Sequence, residues 1–281
     1  MISENLSKNY NSFNSPQYFK IRNRRESCAV NRLKTMRKFG LIGYPLAHSF
    51  SKKHFTEKFQ KESIPDCEYE LFPLKSIDRL PDLLKQHPDL VGLNVTIPYK
   101  QSVFPYLNAI ERSAQEVGAV NVIKIQNGQL LGFNSDTYGF GQSLLHFINK
   151  DKAQISRALI LGTGGAAKAV VYVLKSLKIE SKLVSRTSGK GDLTYENITP
   201  EILRTHQLIV NTTPLGTSPN IDTCPDLPYK SLRVEHYLFD LVYNPEKTLF
   251  LAKGKKQGAK ICNGLEMLRL QAEKSWDIWN Q

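Results

Sequence analysis

A glycine-rich turn between two apolar segments is the clearest chemical signal in the chain. Residues 158–161 form a short apolar run typical of a buried strand, and an Ala/Val-rich segment typical of a helix follows the turn. Between them, Gly162, Gly164 and Ala167 have the spacing G-x-G-x-x-A, a form of the dinucleotide-binding fingerprint. Gly162 can make the tight turn, Gly164 lets the backbone approach a pyrophosphate, and the helix N-terminus offers N–H groups to the phosphates.

The segment after the next predicted strand indicates which dinucleotide binds. An NAD site usually places an Asp or Glu on the ribose about 20 residues beyond the glycines. This chain has Arg186 there, followed by Thr187 and Lys190. Guanidinium and ammonium groups suit the additional 2′-phosphate of NADP. We therefore expect NADP(H), with an ordinary solvated loop carrying surface cations as the alternative.

Four short polar segments in the first half follow predicted strands, which is where open α/β sheets bind their ligands. They are HSFS at 48–51, NVTIPYK at 94–100, GAVN at 118–121 and GFNSD at 132–136. Two hydroxyls near a helix start can bind a carboxylate, although a serine there is more often only a helix cap. A single lysine or aspartate at a strand end is equally ordinary, so only the combination indicates an active site.

The order of these segments resembles the shikimate dehydrogenase family, which also includes quinate/shikimate enzymes. HSFS, NVTIPYK, GAVN, GFNSD, GTGGAAKA, SRT, NTTPLG, VYNP and NGLEML follow one another from about residue 38 to the C-terminus. The resemblance implies an oxidoreductase that reversibly reduces 3-dehydroshikimate to shikimate with NADPH, in the pathway to chorismate and the aromatic amino acids. It also implies two α/β domains, a substrate domain with a mainly parallel sheet and a Rossmann domain that binds NADP, with the active site in the cleft between them.

The resemblance further implies a role for each matching residue. Two positions would be catalytic, Lys100 and Asp136. Six would bind the substrate: Ser49, Ser51, Thr96, Asn121, Tyr243 and Gln271. Ten would bind the cofactor: Gly162, Gly164, Gly165, Ala166, Arg186, Thr187, Lys190, Thr212, Leu241 and Gly264. The nicotinamide supplies the hydride, so we expect no metal site.

The two catalytic residues suit the chemistry of this reaction. Hydride transfer to a ketone creates alkoxide character at the carbonyl oxygen. Lys100 as an ammonium can stabilise that oxygen and donate a proton, and as a neutral amine it can accept the proton in the reverse direction. Asp136 would orient Lys100 and bind a hydroxyl.

The chain departs from the residues usual in the family at four positions. They are Lys52 in place of Pro, Phe55 in place of Asn, Ser135 in place of Thr, and Ser185 in place of Asn. None of these changes removes a group with a chemical role.

Two other functions are alternatives for the same sequence. A quinate/shikimate dehydrogenase of broader specificity is disfavoured by Arg186 and Lys190, because enzymes that prefer NAD usually carry an acid nearby. A non-catalytic relative that senses NADP or shikimate is disfavoured by the presence of both Lys100 and Asp136.

Alternating strand and helix patterns predict the elements that position these residues. Strands are expected at 39–43, 67–72, 91–96, 119–125, 129–133, 158–161, 182–184, 208–210, 237–242 and 259–262. Helices are expected at 51–60, 77–86, 137–149, after the glycine turn, and at 264–279, with one or two more over 101–117. Asn127-Gly128 is a strong signal for a hairpin turn.

The expected domain organisation follows from this order. Residues 1–35 are predicted to be a disordered tail, 36–135 the substrate-binding catalytic domain, and 136–263 the Rossmann domain. The helix at 264–281 would complete the first domain. The tail is polar and lacks an apolar signal region; we interpret Met36 as the true start, with a transit peptide as the alternative.

Composition narrows the classes of partner and location. The formal net charge of +12 suits an anionic substrate and a phosphorylated cofactor, and no basic run interleaved with aromatics indicates nucleic-acid binding. No apolar run approaches the ~20 residues of a membrane span. The four cysteines are widely spaced, which favours reduced thiols in the cytoplasm. We expect small-molecule partners and a monomer or homodimer.

Overall fold

The computed structural model describes residues 36–46, 49–151 and 153–281, which form two six-stranded sheets flanked by helices. The two α/β units expected from the sequence are therefore confirmed as the fold class. The predictions made for residues 1–35 lie outside the described residues, as does the histidine of the 48–51 segment.

The first sheet is built entirely from the first half of the chain. Its strands are β1 (Arg37–Gly43), β2 (Cys67–Pro73), β3 (Leu90–Val95), β4 (Ala109–Ile110), β5 (Val122–Gln126) and β6 (Gln129–Phe133). They lie in the order β2-β1-β3-β5-β6-β4, and every pairing is parallel except β3–β5 and β5–β6. The expected mainly parallel sheet is confirmed, with β5 inserted in the opposite direction.

Short helices connect these strands. They are α1 (Phe50–Lys61), α2 (Leu80–Gln86), α3 (Tyr99–Ser102) and α4 (Arg112–Val117), with 3₁₀ turns at Ile77–Arg79 and Phe104–Tyr106. The expectation of helices across 101–117 was only partly right, since β4 interrupts that segment. The strand expected to begin at residue 119 begins at Val122, because α4 ends on Gly118 in the left-handed region (φ +67). The predicted hairpin is confirmed: Asn127 and Gly128 both have positive φ between β5 and β6.

The second sheet is parallel throughout. Its strands are β7 (Arg157–Leu161), β8 (Glu180–Ser185), β9 (Leu193–Thr194), β10 (Leu208–Asn211), β11 (Tyr237–Asp240) and β12 (Lys260–Cys262), in the order β12-β11-β10-β7-β8-β9. Helices α5 (Asp136–Asn149), α6 (Gly165–Ser176), α7 (Pro200–Thr205) and α8 (Leu249–Lys256) accompany them, with 3₁₀ turns at Tyr195–Asn197 and Tyr229–Ser231. The strand predicted over 237–242 ends at Asp240, and β9 was not predicted.

The last helix, α9 (Leu265–Asn280), follows the second sheet in sequence but packs against the first. The Trp279 indole donates a hydrogen bond to the Ile123 carbonyl over 3.0 Å, and its ring lies 4.8 Å from that of Phe39. Gly92 makes this approach feasible, because a Cβ there would lie 2.3 Å from Trp279 Nε1. The first sheet thus relies on the end of the chain for part of its cover.

Two apolar layers flank each sheet, so both strand faces are buried. None of the helices in the described part of the chain has the length and apolar character that a membrane span requires. Three cysteines, Cys67, Cys224 and Cys262, are free thiols. Within the described ranges, no cluster of three or more His, Cys, Asp or Glu side chains is placed to bind a metal ion.

Candidate active site

A cavity of about 640 Å³ opens between the two sheets, at the carboxyl ends of β1, β3, β6 and β11. All eight predicted substrate and catalytic residues, and three of the predicted cofactor residues, line it: Ser49, Ser51, Thr96, Lys100, Asn121, Asp136, Ala166, Leu241, Tyr243, Gly264 and Gln271. The remaining predicted cofactor residues lie outside the cavity: Gly162, Gly164, Gly165, Arg186, Thr187, Lys190 and Thr212. Residues from widely separated parts of the chain therefore meet in one space.

Lys100 and Asp136 form an ion pair in this cavity. The ammonium donates to Asp136 Oδ2 over 2.7 Å, and the two side chains are 23% and 13% exposed. Asn121 donates to the other carboxylate oxygen, Oδ1, over 2.9 Å. Both oxygens thus receive a donor, and two ammonium hydrogens of Lys100 remain for a ligand.

The backbone around Lys100 is held in place on both sides. Lys100 lies in α3, where the Tyr99 hydroxyl donates to the Leu74 carbonyl over 2.5 Å. The Val120 N–H donates to the Lys100 carbonyl over 2.8 Å. These bonds connect the short helix to β2 on one side and to the loop carrying Asn121 on the other. The lysine therefore approaches Asp136 from a fixed main chain.

Ser49 and Ser51 lie at the start of α1 and also line the cavity. Ser49 is the helix cap, accepting a hydrogen bond from the Ser51 N–H over 3.3 Å. The ordinary capping role considered for this serine is therefore present, and its hydroxyl hydrogen remains available to a carboxylate. Phe50, between them, contacts the Tyr243 ring edge-on at 6.2 Å. Burial raises the pKa of Tyr243, so its hydroxyl stays a neutral hydrogen-bonding group.

The glycine turn after β7 has the shape that a dinucleotide requires. Gly162 adopts φ +109, and a Cβ there would lie 2.7 Å from Thr212 Oγ1. Gly164 caps α6, and a Cβ on Gly164 or Gly165 would meet no atom within 4 Å. The helix start therefore faces open space with exposed N–H groups, which fits the diphosphate of NADP.

The predicted 2′-phosphate residues lie after β8 on an exposed turn. Thr187 N–H donates to Ser185 Oγ over 3.0 Å, and Lys190 N–H donates to the Thr187 carbonyl over 3.3 Å. Across the described part of the chain, no carboxylate forms an ion pair with Arg186 or Lys190. Both cations are therefore available to an anionic group.

Comparison with known proteins agrees with this arrangement. The model of the shikimate dehydrogenase substrate binding domain matches residues 41–123. The shikimate dehydrogenase (NADP(+)) of Clostridium beijerinckii is 38% identical over 257 residues, covering 86% of this chain and 92% of the relative.

The chain belongs to the shikimate dehydrogenase family.

Solved structures of family members superpose on most of the chain. Shikimate 5-dehydrogenase from Thermus thermophilus, in complex with NADP(H) and shikimate, is 30% identical with a TM-score of 0.75. The superposition includes 87% of this chain and 93% of the Thermus thermophilus chain. Shikimate dehydrogenase 1 from Peptoclostridium difficile is 36% identical with a TM-score of 0.74, covering 87% and 92%. Both sheets are therefore shared with the family.

The cavity also contains residues that the sequence did not single out. Asn94 is 6% exposed and lines the cavity, although the sequence predicted no separate role for it within NVTIPYK. Its position inside a predicted strand was the one available signal. Apolar side chains complete the walls and gave no signal at all: Leu41, Leu46, Val95, Ile97, Met267 and Leu268.

A buried carboxylate beside the cofactor edge was also missed. Asp240 is fully buried at the end of β11, and burial raises its pKa to about 6. Its oxygens accept hydrogen bonds from Thr248 Oγ1 (2.5 Å), Asn211 Nδ2 (2.9 Å) and the Val242 N–H (3.0 Å). These bonds hold the segment from Leu241 onward, and with it the loop that carries Tyr243.

Proposed function

We propose that this chain is an NADP-dependent shikimate dehydrogenase that reversibly reduces 3-dehydroshikimate to shikimate. The observation that carries the proposal is the Lys100–Asp136–Asn121 cluster, in a cleft that also reaches Ala166 at the start of α6. Family relatives named shikimate dehydrogenase (NADP(+)) match over most of the chain and support the same activity.

NADPH, when bound, supplies the hydride to the substrate's carbonyl carbon. Lys100 is the proton donor and also stabilises the developing negative charge on the carbonyl oxygen. Asp136 keeps the ammonium directed into the cavity through the 2.7 Å ion pair. In the direction of oxidation, Lys100 accepts the proton of the hydroxyl. Asn121 fixes the Asp136 carboxylate, so the pair is preorganised before substrate arrives.

The remaining site residues are proposed to have the roles that the family resemblance implies. Ser49 and Ser51 bind the carboxylate of the substrate at the start of α1, with Tyr243 beside them. Thr96, Asn121, Asp136 and Gln271 surround its ring hydroxyls. The turn residues Gly162, Gly164, Gly165 and Ala166 hold the diphosphate, and Arg186, Thr187 and Lys190 bind the 2′-phosphate. Leu241 and Gly264 line the cofactor side of the cleft, and Thr212 contributes to the cofactor site from beside Gly162.

The domain division is part of the same proposal. Residues 36–135 with α9 form the substrate domain, and 136–263 form the Rossmann domain. The contacts of Trp279 with the first sheet support the assignment of α9 to the substrate domain. We further assign a cytoplasmic location, small-molecule partners without nucleic acid, and a monomeric or homodimeric state, which light scattering on the purified protein measures.

The direct test measures the rate of cofactor reduction, followed by absorbance at the nicotinamide band. Shikimate and quinate are each tried with NADP and with NAD. Turnover with shikimate and NADP is the expected result. Comparable turnover with quinate or NAD moves the chain to the broader quinate/shikimate group. Protein that binds NADP but turns over no pair would overturn the enzymatic proposal and favour the sensing relative.

A further inference from the structure

A continuous chain of buried polar side chains runs beneath the cavity floor. Its members are at most 6% exposed and come from β2, β3, α9 and the segments before β5 and α5: Tyr69, Asn94, Ser275, Asn121 and Ser135. No buried side-chain nitrogen or oxygen in the described ranges lacks a hydrogen-bond partner. Burying so many polar groups is costly unless each is satisfied, and here each one is.

At the Tyr69 end of this hydrogen-bonded series, the donor in each hydrogen bond is determined. Tyr69 has one hydroxyl hydrogen, which it donates to Asn94 Oδ1 over 2.8 Å. The Asn94 amide oxygen is thus the acceptor, and both amide hydrogens point the other way. They reach Ser275 Oγ at 2.9 Å and the Asn121 carbonyl at 3.3 Å.

The direction continues through the two serines. Ser275 donates its single hydrogen to the Gln271 carbonyl over 2.8 Å, so in its 3.2 Å contact with Ser135 it acts as the acceptor. Ser135 Oγ accepts in turn from Asn121 Nδ2 over 3.0 Å. The second hydrogen of that amide goes to Asp136 Oδ1. One arrangement of hydrogens therefore satisfies the whole chain from Tyr69 to Asp136.

Residues proposed to bind substrate lie near both ends of this hydrogen-bonded series. At one end, burial raises the pKa of Tyr69, and a hydrogen bond with the Ser51 side chain opposes that rise. At the other end, Asn121 and Ser135 lie 3.5 Å and 3.4 Å from Gln271 Oε1. Asn94 and Asn121, which line the cavity, are thus connected through groups that do not line it themselves, Ser275 and Ser135, and Tyr69 extends the connection beyond Asn94.

We propose that Tyr69 and Ser275 are positioning residues, which hold the side chain of Asn94 in the cavity wall and link it through Ser135 to Asn121. This inference rests on the proposed function. Without the Tyr69 hydroxyl, the Asn94 oxygen is buried without that donor, while its amide hydrogens stay bonded to Ser275 and the Asn121 carbonyl. The Asn94 side chain then shifts to regain a donor, and the contacts of Ser275 with Asn94 and Ser135 shift with it.

The test compares Tyr69→Phe and Ser275→Ala with two matched controls. Tyr229→Phe removes a hydroxyl that donates to the Pro225 carbonyl over 2.7 Å in the second unit. Ser143→Ala removes a fully buried hydroxyl that contacts Glu266 across the α5–α9 interface. We expect the KM for shikimate to rise about fivefold to tenfold in each test variant, as loss of one neutral hydrogen bond implies. The KM for NADP and both controls should stay within about twofold of the unmodified protein.

A double variant separates coupling from two independent effects. Since both hydroxyls act on the same chain, Tyr69→Phe with Ser275→Ala should be little worse than the more damaging single variant. Multiplicative effects on the KM for shikimate would contradict the coupling. The test variants could instead lose thermal stability while their KM values for shikimate match those of the controls. That result would show that these hydrogen bonds serve stability alone, and it would overturn the proposal.

A conservative variant gives a further check. Ser135→Thr keeps the hydroxyl and should retain the shikimate KM, whereas Ser135→Ala should raise it in line with Tyr69→Phe. Equal behaviour of the two would contradict the proposal.

Shikimate binding measured by calorimetry tests the positioning role separately from the proposed enzymatic function. If the unmodified protein binds shikimate without turnover, the enzymatic function fails, yet weaker binding by the two variants still supports the positioning role. If the unmodified protein neither binds nor turns over shikimate, both proposals are overturned.

Discussion

The two sides of the cleft are built in different ways. On the substrate side, polar side chains are buried, paired and held by one another, as in the Lys100–Asp136–Asn121 cluster. On the proposed cofactor side, the turn at Gly162 contributes backbone shape, and Arg186 and Lys190 are exposed cations. Substrate recognition should therefore be sensitive to the loss of single atoms, and cofactor recognition to backbone conformation and charge.

The largest expected effect is on the substrate side, at Lys100. Lys100→Ala should lower kcat for shikimate oxidation by at least ~100-fold, because the proton donor and the cation beside the reacting oxygen are both lost. The KM for NADP should change little. Steady-state kinetics checks this result, and turnover close to that of the unmodified protein would exclude the assigned role.

The next effect tests whether buried charge matters on the cofactor side too. Burial raises the pKa of Asp240 to about 6, above its usual 3.8, so its contribution to stability is complete below pH 3.8 and is lost as pH rises through about 6. Asp240→Asn removes this dependence. The difference in unfolding free energy between the two proteins should change by at most about 3 kcal/mol from pH 4 to pH 7.

Denaturant unfolding at several pH values measures that difference. The unmodified protein should lose stability relative to the variant as the pH rises. A constant difference across this range would show that Asp240 titrates in the native state as it does in the unfolded chain.

A backbone change should distinguish the two sides most directly. Gly162→Ala places a Cβ 2.7 Å from Thr212 Oγ1 in a residue at φ +109. The strain should cost about 1–3 kcal/mol of stability and raise the KM for NADP, while the affinity for shikimate alone stays unchanged. Thermal unfolding and calorimetry with each ligand check the prediction. Gly128→Ala is a suitable control, because Gly128 also has positive φ but faces open space.

The smallest effect concerns the choice of cofactor. Arg186→Ala should weaken NADP binding by about tenfold, in line with the loss of one charge-assisted hydrogen bond, and leave NAD binding nearly unchanged. Direct titration with both cofactors measures the ratio. A loss of equal size for NAD would contradict recognition of the 2′-phosphate by this side chain.

The sequence predicted best the features that local patterns encode. The glycine turn predicted β7 and α6, and Asn127-Gly128 predicted the hairpin between β5 and β6. Strand β4 was missed because Ala109–Ile110 is too short to show a period and forms only through pairing with β6. The residue roles came from the family resemblance and stay predictions until they are measured.

Features that depend on distant pairs could not be predicted. Asn94 and Ser275 are 181 positions apart, and nothing near either residue indicates their hydrogen bond. Asp240 resembles any acidic residue at a strand end, and only the packing of Thr248 and Asn211 around it identifies it as buried. Long-range contacts decide burial, and burial in turn decides which polar groups act together.

The return of α9 to the first sheet has a consequence for how the protein is made. A ribosome releases the strands of the first sheet before α9 exists, so the surface around Phe39 and Gly92 has no cover until Trp279 emerges. Gln271 also arrives only then. The nucleotide-binding sheet, by contrast, is complete once β12 has been synthesised. During synthesis, the sheet that is made first is therefore the sheet that receives its cover last.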